Sequence, residues 1–320
     1  MKEKILVIGA NGQIGTALAP LLEEIYEEGN VIASDINNPV NYAGVFEHLD
    51  ATKANDLGAV IRKHGITQIY HLAAILSAKG EADPVWAWNI NMQTLLNVLE
   101  ASREFKLDKV FIPSSIAVFG PSSGKVMTQQ NACLEPSTVY GVSKVATENW
   151  CSYYHHKYGI DVRSLRYPGV ISHQSMPGGG TTDYAVDIFH KALYNRKYTC
   201  YLKPDTDLPM IYIDDALRAT TELMEAPAEK ITIRSSYNLA GLSFTPNELF
   251  QSIKSIMPSF DIDYQPDFRQ DIADSWPGSI DDSIARRDWG WQPEFDLDRM
   301  TQDMFLHLLK RKDVLHQPVK

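Results

Sequence analysis

Short apolar runs alternate with longer segments of helical periodicity along the first half of the chain. The runs lack the polar alternation of half-exposed strands, which is typical of strands buried on both faces of a parallel sheet. The predicted strands are Ile5 to Ile8, Val31 to Ala33, Gln68 to Ala73, Lys109 to Pro113 and Val162 to Leu165. The predicted helices are Gly12 to Glu28, Lys53 to His64, Pro84 to Phe105 and Thr138 to Tyr158. This order predicts an α/β fold with a doubly wound parallel sheet.

The alternation loosens after about residue 172. Pro177 and the run Gly178 to Gly180 predict a loop or hinge, because three successive glycines carry too much backbone entropy for the interior of an element. Tyr237 to Ala240 is predicted to return to the sheet as a strand. We therefore predict two discontinuous units. Residues 1–172 and 209–242 form a dinucleotide-binding domain, and residues 173–208 and 243–320 form a smaller substrate lobe.

A glycine motif follows the first predicted strand directly, with Gly9, Gly12 and Gly15 at a spacing of three. Such glycines permit a tight strand-to-helix turn and close approach of a pyrophosphate, which then meets the free N–H groups of the helix start. Asp35 ends the second strand and can accept hydrogen bonds from ribose hydroxyls while repelling a 2′-phosphate. The motif therefore predicts a Rossmann-type site that prefers NAD to NADP. Asp50 is either a second polar contact near the adenine or a turn residue.

A tyrosine and a lysine lie four residues apart in the helical segment that begins near Thr138. This spacing places Tyr140 and Lys144 on one helix face. A neighbouring ammonium stabilises a phenolate, so we expect Lys144 to lower the pKa of Tyr140 and to make it a usable base. Ser115, at the end of a strand and 25 residues before Tyr140, strengthens the case for a catalytic group.

These motifs, in order and spacing, resemble the extended branch of the short-chain dehydrogenase/reductase superfamily, over nearly the whole chain. The resemblance implies that Ser115 binds the reacting oxygen, Tyr140 is the general acid/base, and Lys144 contacts the nicotinamide ribose. It also implies cofactor contacts beyond the acidic residues. The predicted cofactor-binding residues are Gly9, Asn11, Gly12, Gln13, Ile14, Gly15, Asp35, Asp50, Ala73, Ala74, Asn91, Tyr140, Lys144 and Tyr167.

Four further segments resemble one family in that branch, the metal-independent threonine dehydrogenases. They are Ala73 to Glu81, Pro168 to Ile171, Gly178 to Tyr184 and Asp274 to Trp291. The resemblance implies NAD-dependent oxidation of L-threonine to 2-amino-3-oxobutanoate. The predicted substrate-binding residues are Ser77, Ser115, Tyr140, Thr181, Thr182 and Trp276. Helix capping by the threonines and plain core packing of the tryptophan are the alternatives.

Two other functions stay open at this point. A sugar-nucleotide epimerase or dehydratase needs cations for a diphosphate, and six basic residues of the second half are available for one. They are Arg196, Lys197, Lys203, Arg218, Arg286 and Arg287. A non-catalytic NAD-binding regulator is disfavoured, because it has no need of Ser115, Tyr140 and Lys144 together.

The composition limits the partners of the chain. Thirty Lys and Arg against forty Asp and Glu give a net charge of −10, which favours neither nucleic acid nor an anionic membrane. No apolar stretch approaches the roughly 20 residues of a spanning helix, and the early first strand and three widely spaced cysteines predict a cytoplasmic protein without a disulfide or zinc site. The resemblance implies a homodimer through Pro84 to Phe105 and Thr138 to Tyr158; the alternative is that these helices only cover the sheet.

Overall fold

Strands and helices alternate through the first half of the protein, as the apolar pattern predicts. The computed structural model describes residues 3–39, 42–174, 176 and 180–315. The strands are β1 Ile5–Ile8, β2 Val31–Asp35, β3 Val45–His48, β4 Gln68–His71, β5 Lys109–Phe111, β6 Ser114–Ser115, β7 Val162–Arg163, β8 Leu165–Tyr167, β9 Gly169–Ile171, β10 Lys197–Cys200, β11 Leu208–Tyr212, β12 Tyr237–Asn238, β13 Leu242–Phe244 and β14 Asp261–Tyr264. The helices are α1 Gly15–Tyr26, α2 Ala54–His64, α3 Ser77–Ala82, α4 Pro84–Phe105, α5 Val139–Tyr158, α6 Tyr184–Asn195, α7 Ile213–Glu225, α8 Pro246–Ile256, α9 Arg269–Ser275, α10 Ser283–Trp289 and α11 Leu297–Leu315.

The main sheet is parallel, with the strand order β3-β2-β1-β4-β5-β7. The order reverses between β1 and β4, and ligands of open α/β sheets bind beyond the carboxyl ends of the strands at such a reversal. A second parallel group, β6-β8-β12, lies farther along the chain. Tyr237–Asn238 is therefore a strand, as predicted, but it pairs with β8 and not with the six-stranded sheet. The doubly wound α/β fold is confirmed.

Two hydrophobic clusters lie on opposite faces of the sheet. Alternate residues of β1 divide between them: Ile5 and Val7 belong to the first cluster, with side chains of α1 and α7. Leu6 and Ile8 belong to the second cluster, with side chains of α2, α4 and α5. All four β1 side chains are buried, which explains why this strand has no polar alternation.

Local signals fix where the two long helices begin. Asp83 caps α4 by accepting a hydrogen bond from the backbone N–H of Trp86, and Pro84 occupies the first turn. Thr138 caps α5 by accepting a hydrogen bond from the N–H of Gly141. The cap at Thr138 thus sets the start of the helix that carries Tyr140 and Lys144.

The second half contributes a lobe whose buried side chains join the first hydrophobic cluster. Phe189 of α6, Leu249 of α8 and Met304 of α11 pack in the same cluster as Leu18 of α1. The lobe and the α1 face of the sheet thus share one core, while the division into two units stays a prediction. Pro177, Gly178 and Gly179 of the predicted hinge lie outside the described residues.

One helix approaches the backbone of another segment at a glycine. A Cβ atom on Gly141 of α5 would lie 2.1 Å from the carbonyl oxygen of Ala117 and 2.6 Å from Cβ of Pro136. Glycine alone permits this contact, because backbone atoms cannot yield as a flexible side chain can. The first turn of α5 therefore lies directly against the turn that follows Ser115.

We predict that Gly141→Ala lowers the free energy of unfolding by about 1–3 kcal/mol through this overlap. Gly58→Ala in α2 is the matched control, because its Cβ would meet nothing closer than 3.5 Å. Replacing a helical glycine without a clash stabilises a protein by about 0.4–1 kcal/mol. Urea unfolding of both variants measures the difference; equal effects of the two substitutions would contradict the close approach.

Candidate active site

Two cavities meet at the carboxyl ends of β1 and β4. The first, here called the catalytic cavity, is lined by predicted catalytic, cofactor-binding and substrate-binding residues. They are Gly9, Gly12, Gln13, Ile14, Gly15, Ala74, Ser77, Ser115, Tyr140, Lys144, Tyr167, Thr181, Thr182 and Trp276. The second, here called the adenosine cavity, is lined by Gly9, Gly12, Asp35, Asp50, Ala73 and Ala74 among others. Of the predicted site residues, Asn11 and Asn91 line neither cavity.

The glycine turn leaves a cradle for a pyrophosphate. Gly9 has a φ of +87°, and a Cβ there would lie 2.7 Å from the backbone nitrogen of Ala73. A Cβ on Gly15 would lie 2.4 Å from the carbonyl oxygen of Gly9. No side chain of the described residues caps the start of α1 at Ile14, although the N–H groups of Thr16 and Ala17 already donate to the carbonyl oxygens of Gly12 and Ile14. These residues fit the dinucleotide that the sequence predicts.

Asp35 stands at the end of β2 and orders the adenosine end. Its carboxylate accepts hydrogen bonds from the backbone N–H groups of Asn11 at 3.1 Å and Asn37 at 3.0 Å. The Asn11 side chain in turn donates to the carbonyl oxygen of Asn37 at 2.9 Å. Asn11 thus holds Asp35 through its backbone N–H group without lining the adenosine cavity, whereas Asp35 itself lines that cavity.

Asp50 lines the adenosine cavity and also forms a turn. Its carboxylate accepts hydrogen bonds from the N–H group and the hydroxyl of Thr52, and these bonds lower its pKa. Asp50 is therefore a turn residue, and its contact near the adenine stays a prediction. Lys53 and Lys79 line the same cavity, and Lys53 pairs with Asp50 at 3.7 Å. The residues that directly follow Asp35 do not predict these cations, because Lys53 and Lys79 belong to other segments of the chain.

Ser115, Tyr140 and Lys144 meet in the catalytic cavity. The ammonium of Lys144 donates a hydrogen bond to the carbonyl oxygen of Pro113 at 2.7 Å and lies 5.5 Å from the ring centroid of Tyr140. The hydroxyl of Ser115 accepts a hydrogen bond from the N–H of Ala117 at 3.2 Å. The three side chains thus come from β6 and one face of α5.

Burial governs the ionisation of this group. It raises the pKa of Tyr140 to about 12, against which a hydrogen bond with Ser115 acts to lower that pKa. Burial also lowers the pKa of Lys144 to about 8. Desolvation of the phenolate therefore sets the direction of the Tyr140 pKa, while the expected lowering of that pKa by Lys144 stays a prediction.

Asn91 lies behind the cofactor crevice. Its side chain accepts from the N–H of Ile75 at 2.8 Å and donates to the carbonyl oxygen of Ile75 at 3.1 Å, so it holds the loop after β4. It also lines a small internal cavity together with His71, Ser143 and Lys144. Burial and the Lys144 charge lower the pKa of His71 to about 3, which keeps that imidazole neutral near pH 7.

A buried ion pair behind the catalytic group was missed by sequence reasoning. Glu148 of α5 and Arg166 of β8 pair at 2.7 Å, with side chains 2% and 4% exposed. Glu148 also accepts a hydrogen bond from the hydroxyl of Ser114 at 2.7 Å, beside Ser115. Arg166 further donates to Asn238 of β12 at 3.0 Å. The network ties α5 to the strand that carries Ser115.

The predicted substrate residues line the catalytic cavity from separate segments. Ser77 begins α3, Thr181 and Thr182 precede α6, and Trp276 follows α9. Neither threonine caps α6, because Asp183 holds the N-cap position and makes no side-chain cap bond. Trp276 is 6% exposed and belongs to the first hydrophobic cluster as well, so the core reading of this residue also holds.

Asp183 lines the catalytic cavity and was not predicted. Its carboxylate accepts a hydrogen bond from the N–H of Gly180 at 2.7 Å. A signal was present in the sequence, because a carboxylate directly follows the two threonines that were chosen for a substrate with an amino group.

Tyr167 presents its ring to the cavity while its hydroxyl is bonded to the Thr220 hydroxyl on the buried side. Burial raises the pKa of Tyr167 and so favours the neutral phenol, although the hydrogen bond with Thr220 acts to lower that pKa. Its place fits the predicted flank of a nicotinamide ring.

His173, Asp303 and His307 form a group with metal-ligating atoms in the described residues. The two imidazole rings stack at 3.9 Å with an angle of 15° between their planes. A metal binds in the plane of an imidazole, so two nearly parallel planes do not converge on one ion. The group lines neither the catalytic nor the adenosine cavity.

Comparisons with known proteins agree with this geometry. The model of the NAD dependent epimerase/dehydratase family matches residues 5–240. The mitochondrial L-threonine 3-dehydrogenase of Bos taurus is 46% identical over 307 residues, which are 95% of this chain and 82% of the bovine protein. None of the helices in the described residues has both the length and the apolar character needed to cross a bilayer.

Two solved structures resemble the chain closely. The holo form of a GalE-like L-threonine dehydrogenase from Cupriavidus necator has a TM-score of 0.94 and 56% identity, covering 95% of this chain and 99% of the other. The apo form of a monomeric L-threonine 3-dehydrogenase from a metagenome has a TM-score of 0.92 and 47% identity, covering 96% and 99%.

Proposed function

The chain belongs to the NAD dependent epimerase/dehydratase family, and we propose that it oxidises the side-chain alcohol of L-threonine to 2-amino-3-oxobutanoate. One observation carries the choice of substrate. Among the described residues that line the catalytic cavity, Lys144 is the only lysine or arginine, and Asp183 adds a carboxylate. A small zwitterion fits such a cavity, whereas the diphosphate of a nucleotide sugar needs cations.

The basic residues that kept the epimerase alternative open support it poorly. None of the six lines the catalytic cavity. Five of them pair with carboxylates elsewhere: Lys197 with Asp263, Lys203 with Asp274, Arg218 with Asp215, Arg286 with Asp282 and Arg287 with Asp288. A diphosphate would have to compete with these carboxylates for its cations.

Each end of the substrate has a partner of suitable chemistry. We assign the ammonium of L-threonine to the carboxylate of Asp183, and its carboxylate to the hydroxyls of Ser77, Thr181 and Thr182. Trp276 closes the cavity and keeps water from the reacting carbon. The relatives that carry the name threonine dehydrogenase support the same assignment.

The reaction divides between the cofactor and the side chains. The glycine turn and Asp35 would hold NAD, which would supply the acceptor for the hydride from Cβ. Ser115 orients the reacting hydroxyl, and Tyr140 takes its proton. Lys144 holds a positive charge beside the phenol and offers a donor toward the ribose. One proton and one hydride leave, so the alcohol carbon becomes a carbonyl.

A substrate panel tests the proposal. We expect the purified protein to reduce NAD with L-threonine, followed by the absorbance of NADH, and to leave a UDP-sugar unchanged. Asp183→Asn should raise KM for L-threonine by about tenfold or more and leave KM for NAD unchanged, because the amide keeps the acceptor for Gly180 but loses the charge. Asp187→Asn, one turn along α6, is the control. Turnover of a UDP-sugar without turnover of L-threonine would favour the epimerase function.

Tyr140→Phe removes the proton acceptor but keeps the ring volume. We expect kcat to fall by at least about a hundredfold while NAD still binds. Tyr153→Phe is the control, because Tyr153 lies on the same helix with 47% of its surface exposed. An active Tyr140→Phe enzyme would mean that the base lies elsewhere.

Lys144→Ala should move the pH dependence of kcat to higher pH. Oxidation requires the deprotonated form of Tyr140, and removal of a nearby positive charge raises the pKa of that phenol. The rate at neutral pH therefore falls, and part of it returns as the pH rises. A variant whose pH profile coincides with that of the wild type would contradict a charge effect of Lys144.

Asp35→Ala should narrow the preference for NAD over NADP. The substitution removes the partner of the ribose hydroxyls and the charge that repels a 2′-phosphate. Asp35→Asn separates the two effects, since the amide still accepts a hydrogen bond from Asn11. Asp50 lines the same cavity, and Asp50→Asn should leave the ratio of kcat/KM for NAD to kcat/KM for NADP unchanged. A wild-type enzyme that uses both cofactors equally would contradict this role of Asp35.

We propose a homodimer formed through α4 and α5. Their inner faces belong to the second hydrophobic cluster, so they do cover the sheet. Their outer faces also expose Trp88, Val142, Trp150 and Tyr153, which is more apolar surface than a solvated face needs. The metagenomic relative is named as monomeric, so the dimer needs a direct test in this chain.

Light scattering at micromolar concentration should give twice the 36.0 kDa mass of one chain. Val142→Glu, at the centre of the exposed face, should give single chains with unchanged melting of the fold. A wild-type mass of one chain would contradict the dimer.

A cytoplasmic location is also proposed. It is supported by the three cysteines, which are all free thiols in the structure, with Cys151 and Cys200 buried.

A further inference from the structure

Trp276 closes the catalytic cavity, yet its own polar atom does not fix its position. The indole Nε1–H is buried and has no hydrogen-bond partner among the described residues. The ring is 6% exposed and follows the last residue of α9 directly. Its position over the cavity must therefore be set by the packing of the ring and by the backbone that carries it.

A lysine from another segment holds that backbone. The ammonium of Lys125 donates hydrogen bonds to the carbonyl oxygens of Asp274 and Trp276, the latter at 2.6 Å. These carbonyls lie at the end of α9, where the last turn leaves acceptors unpaired and the helix dipole favours a cation. Lys125 itself does not line the catalytic cavity.

The backbone of Lys125 holds the same segment from its other end. Its carbonyl oxygen accepts hydrogen bonds from the N–H groups of Gly278 at 2.8 Å and Ser279 at 3.3 Å. One residue thus contacts both sides of Trp276 in the chain. Two nearby bonds support the arrangement, between the hydroxyls of Ser137 and Ser275 at 3.0 Å and from the N–H of Met127 to the Ser279 hydroxyl at 2.8 Å.

The segment that carries Lys125 is itself held in a defined shape. It begins ten residues after Ser115 and ends at Thr128, which pairs with Ile280. Met127 has a φ of +49°, a left-handed conformation that residues other than glycine adopt when surrounding contacts impose it. Only ten positions of chain therefore separate Ser115 from the residue that holds the backbone of Trp276.

We propose that Lys125 is the positioning residue for Trp276 and thereby determines substrate affinity without contacting the substrate. The inference deepens the proposed function, since it takes the catalytic cavity as the site of the amino-acid substrate. Lys203 provides a contrast, because its ammonium meets the side chain of Asp274 at 3.5 Å and both side chains are half exposed. Such an exposed ion pair contributes little to stability, and it does not bind the backbone that carries Trp276.

The test compares Lys125→Met with Lys203→Met in the full-length protein. We expect Lys125→Met to raise KM for L-threonine by about tenfold or more, because the lost bonds involve a charged donor, and to leave KM for NAD within about twofold. Lys203→Met should change neither. Lys125→Arg, which keeps the charge and the donors, should recover most of the affinity. An unchanged KM in Lys125→Met, or an equal rise for NAD, would overturn the proposal.

A double-mutant cycle separates positioning from a general loss of structure. If Lys125 acts through the ring of Trp276, Lys125→Met should raise KM for L-threonine far less in a Trp276→Ala background than in the wild type. Additive effects of the two substitutions would overturn the proposal. If Lys125→Met does not fold, Lys125→Gln takes its place in the cycle.

Hydrogen exchange keeps this test distinct from that of the proposed function. In Lys125→Met with NAD, the peptide that spans residues 274–280 should exchange faster than in Lys203→Met, whatever the substrate is. If the wild type is inert toward L-threonine but the two variants show this exchange pattern, the proposed function is refuted while the positioning role of Lys125 stands. Unchanged exchange of the peptide in Lys125→Met would overturn the positioning role itself.

Discussion

The buried pair of Glu148 and Arg166 is the interaction on which the catalytic geometry depends. Two opposite charges away from water give little net stability, but the loss of one partner leaves a buried charge that costs about 3–5 kcal/mol. Glu148 stands one turn beyond Lys144 on α5 and also binds the hydroxyl of Ser114. One carboxylate therefore fixes the helix of the base relative to the strand of Ser115. The cost of breaking the pair penalises any other alignment of the two elements.

The same burial that fixes the geometry opposes the charges that the chemistry needs. It raises the pKa of Tyr140 to about 12 and lowers the pKa of Lys144 to about 8. A phenolate and an ammonium are each unfavourable alone in this surrounding, but each stabilises the other. Under the proposed roles, a positively charged ligand beside the phenol would favour the phenolate further. The oxidised cofactor would be such a ligand.

The sequence predicted what local chemistry determines and missed what distant segments build. Gly9, Gly12 and Gly15 could be interpreted because a strand-to-helix turn needs glycines at that spacing, and Tyr140 with Lys144 because a helix brings such residues to one face. Lys125 and Asp274 are 149 residues apart, and nothing near either of them points to the other. For a related reason the sequence did not predict that burial raises the pKa of Tyr140, since spacing gives the neighbour of a group but not the depth at which both lie.

The two halves of the crevice are held by different kinds of contact, and this difference bears on specificity. On the cofactor side, backbone meets backbone at Gly9 and Ala73, which leaves little freedom for change. On the substrate side, side chains from separate loops meet, with Asp183 before α6 and Trp276 after α9. Such loops can change their residues without disturbing the sheet. In this chain they place the carboxylate of Asp183 in the catalytic cavity, whereas the diphosphate of a nucleotide sugar would need cations there. Repulsion of that diphosphate would therefore separate nucleotide sugars from amino acids as much as attraction of an ammonium does.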